Sequence, residues 1–449
     1  MHSRKKRLVP PSAEEIAAEK LRLEKIQKLH KMVFEEIANG NLTDEAFILS
    51  EKAISISPDI YTFLNFRRKL LLNRLSQVSE EEQVKIFSQE LEFLSRIIKE
   101  SPKSYTLWYH RQWVLKHCKN ISQIMQKELA LCEYMLKKDN RNFHVWNYRN
   151  WVVELEGEQG VNEEMEFTKG MIFRDFSNFS AWHYRTKVVK KKFPGDIPLE
   201  FIKSELSMLK NAYFTCPNDQ SVWNYHRWLL QSVESIKIAA VSPRCYTEHP
   251  DFILIGFTHS VCNVGSNSIA VSHGWESLEG TWEPEHTRPY SYTWKFTPSQ
   301  KPQDSIEIRL SPVNQDLVDF NGKKKLTEII YKYKKTPQGY QFTAEGSEDV
   351  EIFLTELSNI DELLDIEEDD IVQVLLRKAQ ISEQLAYSVP DSDYIDVAIK
   401  CYQQLLQKDP KHRIIYEELL NSFISVKMDK KAETFAKHGK IAARVLGLE

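Results

Sequence analysis

Long apolar runs are missing from this chain. Nowhere do the eighteen or so consecutive apolar residues of a membrane-spanning helix occur, so direct membrane insertion is not expected. Cysteine is sparse and unpatterned: Cys118, Cys132, Cys216, Cys245, Cys262 and Cys401 include no Cys-x-x-Cys pair and follow no secretory leader, which predicts reduced thiols in a cytoplasmic protein. A surplus of one charge is lacking as well, since a formal net charge of −4 is too mild to argue for a nucleic-acid partner. No Gly-rich phosphate loop, no HExxH and no Ser, His and Asp set of useful spacing is present. His110, His144, His183 and His226 fall one to a segment, whereas a metal needs three or four ligands within about 2.0 to 2.3 Å of one point. A metal site built by this chain alone is therefore not expected.

What the chain does have is repetition. Four segments share one signature: PKSYTLWYHRQW from Pro102, NRNFHVWNYRNW from Asn140, FSNFSAWHYRTK from Phe176 and PNDQSVWNYHRW from Pro217. A weaker copy, PDIYTFLNFRRK, starts at Pro58 with Leu64 in the place of Trp. Aligned on that place, the copies stand 44, 38, 36 and 41 residues apart, a period that suits stacked helix pairs. The expected fold is mainly α: an α-solenoid of helix hairpins.

Trp108, Trp146, Trp182 and Trp223 occupy the shared position, and the expectation for each is a core ring whose truncation to Ala costs about 3 to 5 kcal/mol. A second regularity precedes them. Glu90, Glu128, Glu164 and Glu205 each lie 12 residues before their copy and 21 before Arg111, Arg149, Arg185 and His226. In an antiparallel hairpin this offset predicts a structural ion pair within each hairpin. Ala46 stands at the glutamate position of the first copy, as an end repeat allows.

After Leu230 the text changes. Half of the 14 glycines fall between Gly256 and Gly346, among short alternating runs such as SIEIRL and a turn signal at Asn321 and Gly322, which describes an inserted, immunoglobulin-like β-sandwich. Helical patterning returns near Asp349, and its last part resembles another hairpin, with Pro410 and Tyr416 at the positions of Pro102 and Trp108. The expected organisation is a basic arm over 1–18, a helical solenoid over 19–235, the sandwich over 236–348 and a helical segment over 349–449. Arg4, Lys5, Lys6 and Arg7 on the arm read as solvated charge.

The Trp-bearing segments resemble the repeats of protein prenyltransferase α subunits, over residues 20 to 230. The insertion after PNDQSVWNYHRWLL makes the resemblance greater to the Rab geranylgeranyltransferase α subunits than to those of farnesyltransferase. The resemblance implies a heterodimer in which a separate β subunit holds zinc and the prenyl pocket. It also implies transfer of geranylgeranyl from geranylgeranyl diphosphate to C-terminal cysteines of Rab GTPases delivered by a Rab escort protein. By the same resemblance Lys103 points toward the diphosphate, and Tyr105 in the same segment, Asn142 and His144 match positions near the partner's cleft, with Lys103 and Tyr105 as the expected catalytic residues. For His2 on the arm two readings stay open, a plain terminal residue and a ligand that reaches the partner's zinc. Two other readings stay open: the α subunit of farnesyltransferase or type I geranylgeranyltransferase, and a non-enzymatic helical-repeat scaffold. The inserted sandwich speaks against the first, and the 36 to 44 period against a 34-residue tetratricopeptide array.

Overall fold

The computed structural model describes residues 12–427 except 119–121, 235–237, 243–251, 263, 266–268, 274–275, 285–290, 301–304, 311–317, 320–328, 337–338, 346–349, 368–370 and 390–392. Residues 1–11 of the expected basic arm with His2, as well as Cys245 and the Asn321–Gly322 turn, therefore lie outside the described residues, while the rest of the arm from Ala13 is already helical. The chain divides into two compact units, Met1–Pro194 and Gly195–Glu449.

The first unit holds nine helices among its described residues: α1 (Ala13–Asn39), α2 (Asp44–Ile56), α3 (Tyr61–Leu75), α4 (Glu80–Glu100), α5 (Tyr105–His117), α6 (Ser122–Lys138), α7 (Phe143–Glu156), α8 (Glu158–Arg174) and α9 (Phe179–Lys192). Local sequence sets their ends. Ser12 and Glu15 form a capping box at the start of α1, and Gly40 ends it in the left-handed region at φ 68°, which costs glycine no steric strain. Asn142 and Asn178 cap α7 and α9 through their side-chain oxygens, supplying acceptors that helix N-termini need. Helices pack in consecutive pairs, α4 on α5, α6 on α7 and α8 on α9, while α5 also touches α3 and α7, and α7 touches α9. Within this unit the pairs stack as in a solenoid.

Trp108, Trp146 and Trp182 are buried, and each does more than fill space. Their indole N–H groups donate to the carbonyls of Pro102, Asn140 and Phe176 at 2.9, 2.9 and 2.8 Å. Each ring thus pins the loop that leads into its own helix. Trp108 also meets Tyr148 of the next pair at 4.9 Å between ring centroids, and Trp146 meets Tyr184 at 5.1 Å, so the same aromatic contact joins successive pairs.

The expected pairing of Glu90 with Arg111, Glu128 with Arg149 and Glu164 with Arg185 does not form. Arg111 and Arg149 reach forward instead, as does Arg67 one copy earlier. Arg67 binds Glu90 at 2.7 Å, Arg111 binds Glu128 at 2.6 and 2.7 Å, and Arg149 binds Glu164 at 2.6 and 2.8 Å. Each also reaches back, through Nη1, to the carbonyl 20 residues earlier: Arg67 to Phe47, Arg111 to Leu91, Arg149 to Leu129 and Arg185 to Met165. One guanidinium therefore ties three helices together, and the ion pairs join neighbouring repeats rather than close single hairpins. The residue that meets the hairpin's own glutamate is the one before the arginine. Nε2 of His110 lies 3.0 Å from Glu90, and the Tyr148 hydroxyl donates to Glu128 at 2.6 Å. Consecutive helical residues point about 100° apart, so positions 20 and 21 beyond a glutamate cannot both face it. Arg68 Nε donates to His110 Nδ1 at 3.1 Å, which leaves the hydrogen on Nε2 for Glu90.

The second unit opens with α10 (Leu199–Thr215) and α11 (Gln220–Val233). Here Trp223 is fully buried and donates to the Pro217 carbonyl at 2.7 Å, while Tyr225 donates to Glu205 at 2.6 Å. Ten strands follow among the described residues: β1 (Ile238–Ser242), β2 (Ile253–Cys262), β3 (Ile269–His273), β4 (Glu276–Ser277), β5 (Gly280–Pro284), β6 (Ser291–Pro298), β7 (Ser305–Leu310), β8 (Val318–Asp319), β9 (Ile329–Thr336) and β10 (Gly339–Glu345). They form two antiparallel sheets, one ordered β1-β2-β6-β5 with β8 also on β2, the other β10-β9-β7-β3-β4. Alternate residues of both sheets, among them Ile253, Ile255, Phe257, Trp294 and Phe296 facing Ile269, Val271, Ile306, Ile308 and Leu310, share one core. This is a sandwich, built on the period of two. At Gly280 a Cβ would sit 2.5 Å from the Thr297 carbonyl and 2.6 Å from the Phe296 ring, so close strand approach requires glycine there.

Beyond the sandwich come α12 (Val350–Ile366), α13 (Val372–Ser388), α14 (Tyr394–Lys408) and, after a short 3₁₀ turn, α15 (Arg413–Lys427). The expected pairing of Glu205 with His226 fails for the reason already given: His226 turns to Glu356 of α12. Helix α12 also meets α10 through Lys203 with Glu351 and Lys210 with Glu362. Glu356, Val374 and Arg377 keep the spacing of Glu90, Trp108 and Arg111, so α12 and α13 are a further repeat, with Val374 in the place of Trp. The series of carboxylate partners stops there, because Ala398 stands where α14 would carry the next glutamate. Arg377, buried and bonded to Gln380 through Nη1, is lowered to about 10 by that burial and by the charge of Arg227. Tyr416 is buried and its hydroxyl donates to Asp409 at 2.9 Å, pinning the approach to α15 much as Trp108 pins that to α5.

Candidate functional site

The loops that enter α5 and α7 lie side by side. The Pro102 carbonyl accepts from Trp108 and, at 3.2 Å, from the side-chain amide of Asn142. Asn142 is buried and its Oδ1 accepts from the His144 backbone N–H at 3.0 Å, so this one side chain caps α7 and fastens the neighbouring loop. Thr106 fastens α5 to the Pro58 loop in the same way, at 2.6 Å. On this frame Lys103 extends into solvent with its ammonium 3.6 Å from Asp139, side chains 64% and 42% exposed. Tyr105, the first residue of α5, is 68% exposed, and its ring stands edge-on to His144 at 4.2 Å and near Phe143 at 6.0 Å.

The structure thus gathers all four expected site residues at one edge of the first unit, and divides them by burial. Lys103 and Tyr105 are available to a ligand, whereas Asn142 and His144 sit beneath them. His144 is pushed below the ordinary histidine value by burial and then by the charge of Lys103, so the imidazole is neutral near pH 7. The first helical residues of α5 and α7 are here, and backbone N–H groups at a helix start favour anions. An exposed cation, a phenol and two helix starts suit a phosphate-bearing ligand that approaches from outside. Among the described residues no group of three or more His, Cys, Asp or Glu could hold a metal ion.

The sequence pattern described as the protein prenyltransferase alpha subunit repeat matches residues 87–118, 125–156, 161–192 and 202–233. Proteins described as geranylgeranyl transferase type-2 subunit alpha are similar along the chain. That of Dictyostelium discoideum is 34% identical over 235 residues, 51% of this chain and 75% of the relative. That of Candida albicans is 33% identical over 258 residues, 47% of this chain and 70% of the relative. The chain belongs to the type-2 geranylgeranyl transferase alpha-subunit family. The Bos taurus member is 34% identical over 305 residues, and this chain spans about half of its length, 53%, while covering 64% of itself. A solved structure, Candida albicans protein geranylgeranyltransferase-I complexed with GGPP, overlaps 89% of this chain and 91% of its own at 15% identity and a TM-score of 0.49.

Each matched alpha-subunit repeat is one glutamate-bearing helix plus one Trp-bearing helix, α4 with α5 through α10 with α11. The copy at Pro58 and the pair α12–α13 extend the series beyond the matched residues. Sequence reasoning missed Asp139, which stands 36 residues after Lys103 in the loop that ends α6. Its only signal was position, since it immediately precedes the copy that follows the one bearing Lys103.

Proposed function

We propose that this chain is the non-zinc-binding α subunit of a heterodimeric Rab geranylgeranyltransferase, which transfers the C20 isoprenoid from geranylgeranyl diphosphate to C-terminal cysteines of Rab GTPases in the cytoplasm. The reading takes a β subunit as the holder of zinc and of the prenyl pocket, and a Rab escort protein as the carrier of the substrate. Its main support in the structure is the exposed Lys103 beside Tyr105 at the start of α5, on a loop fixed by Trp108 and Asn142.

The cysteine first gives up its thiol proton to solvent, and the thiolate then attacks C1 of the prenyl chain, so that a C–S bond forms as the C1–O bond breaks and the diphosphate leaves with the electron pair. Negative charge on the leaving group grows in the transition state, and a preorganised cation beside it lowers the barrier. Lys103 supplies that cation, with Tyr105 as a hydroxyl donor within the same approach. Asn142 and His144 act from below: the amide holds the Lys103 loop, and the neutral ring supports the Tyr105 phenol.

Co-expression with a cognate β subunit, followed by assay of prenyl transfer from geranylgeranyl diphosphate to a Rab bound to escort protein, tests the proposal. A stable heterodimer that prenylates the Rab is expected. A chain that stays monomeric with every candidate β subunit, or a heterodimer that prefers farnesyl diphosphate and CaaX peptides, would overturn it.

A further inference from the structure

Asp139 is the one carboxylate within 4 Å of the Lys103 ammonium among the described residues, and its two oxygens do different work. Oδ1 accepts from the Arg141 backbone N–H at 3.2 Å, shaping the turn between α6 and α7. The remaining oxygen, Oδ2, lies 3.6 Å from Lys103 Nζ. The backbone of Asp139 is already anchored, by its N–H to the Met135 carbonyl at 3.0 Å and by its carbonyl to Asn142 N–H at 3.1 Å. The turn therefore has no need of the Oδ2 contact, and an ion pair this exposed contributes little to stability. Its consequence falls on whatever Lys103 binds.

We infer that Asp139 is the resident counterion of Lys103, which an arriving diphosphate must displace, and that it thereby keeps the affinity for the departing inorganic diphosphate moderate. The inference rests on the role proposed above for Lys103. Asp139 is a positioning residue on this view, holding the ammonium toward α7 in the empty site and giving it up when the ligand's oxygens arrive. Without the carboxylate the cation is free beforehand and the anion meets no repulsion. Diphosphate then binds more tightly and leaves more slowly, although the chemical step keeps its cation.

The experiment uses the assembled heterodimer and inorganic diphosphate as the probe, read as inhibition of prenyl transfer. In Asp139→Asn the Oδ1 acceptor is retained, and inhibition is expected to tighten about two- to fivefold, the range of an exposed ion pair. The gain should shrink as ionic strength rises. Asp139→Glu, which keeps the charge, should inhibit like the parent. In a Lys103→Ala background the Asp139→Asn substitution should change inhibition little, a coupling that a purely structural role would not produce. Lys103→Ala that weakens inhibition alongside Asp139→Asn that leaves it unchanged would overturn the counterion role alone. Equal tightening with and without Lys103 would also overturn it, by showing general repulsion. Inhibition unchanged by Lys103→Ala would remove the parent reading as well.

Discussion

Nε2 of His226 on α11 lies 2.8 Å from Oε2 of Glu356 on α12, although 130 residues separate them in the chain. Both side chains are buried, and the contact occupies the place that Arg111 with Glu128 holds in the first unit. The β-sandwich therefore interrupts the repeat in sequence only. The relation between a Trp-bearing helix and the next glutamate-bearing helix is resumed after it.

Removal of the acceptor at that junction should be costly. Glu356→Ala leaves the His226 ring buried with Nδ1 and Nε2 both unpaired, and the cost expected for breaking a buried polar pair is about 3 kcal/mol. Denaturant unfolding of the full chain should show the loss in the transition that reports the second unit, and an unchanged midpoint there would contradict the assignment.

Arg111→Lys is not conservative here. A lysine keeps the charge but cannot make two bonds to Glu128 while also reaching the Leu91 carbonyl. A destabilisation of about 2 kcal/mol is expected, measured as a lowered urea midpoint with unchanged slope. Glu128→Gln in the same chain should add less than its separate cost, because the two groups act through one contact.

Stability should depend on pH in two ranges. The Glu90 carboxyl, which burial alone would raise, is held down at about 2 by the charge of Arg67 and by hydrogen bonds from His110 and Arg67. A group depressed in the folded state stabilises fully above its unfolded value and loses that contribution as pH falls. For Glu90 the loss runs from about 4.5 down to about 2 and amounts to on the order of 3 kcal/mol. His110 is also depressed, by burial first and against the pull of Glu90, so its loss starts near pH 6.5 and continues as pH falls through the lower folded value. Unfolding free energies from pH 8 to pH 3 should decline in both ranges, and the decline near 6.5 should diminish in His110→Phe. A flat profile between pH 7 and pH 5 would contradict the buried neutral histidine.

Lys103→Ala in the assembled enzyme should lower turnover at saturating substrates by about ten- to a hundredfold, with thermal unfolding unchanged because the side chain is exposed. Steady-state kinetics beside a melting curve separate the two outcomes. Loss of turnover accompanied by an equal loss of stability would mean the residue holds the loop instead.

Much of the helical framework was legible because its signals are local. The Trp position announces a buried ring wherever it recurs, and the tryptophans there are buried in the first unit and at Trp223 in the second. Alternation marked the strands for the same reason. The α12–α13 repeat escaped notice because Val374 replaces the indole, leaving a glutamate and an arginine too common to stand out. Asp139 escaped because nothing in its own segment distinguishes it from any other helix-ending carboxylate.

By itself the sequence determined which segments form helices, which of their faces are apolar and which buried charges recur, since these follow from periods of 3.6 and two residues and from caps a few residues long. Tertiary structure alone decided which glutamate each arginine meets and which carboxylate stands beside Lys103. Spacing along the chain places two residues on neighbouring helices, but a shift of one residue turns a side chain by about 100°, and the angle at which one helix packs on the next selects the partner.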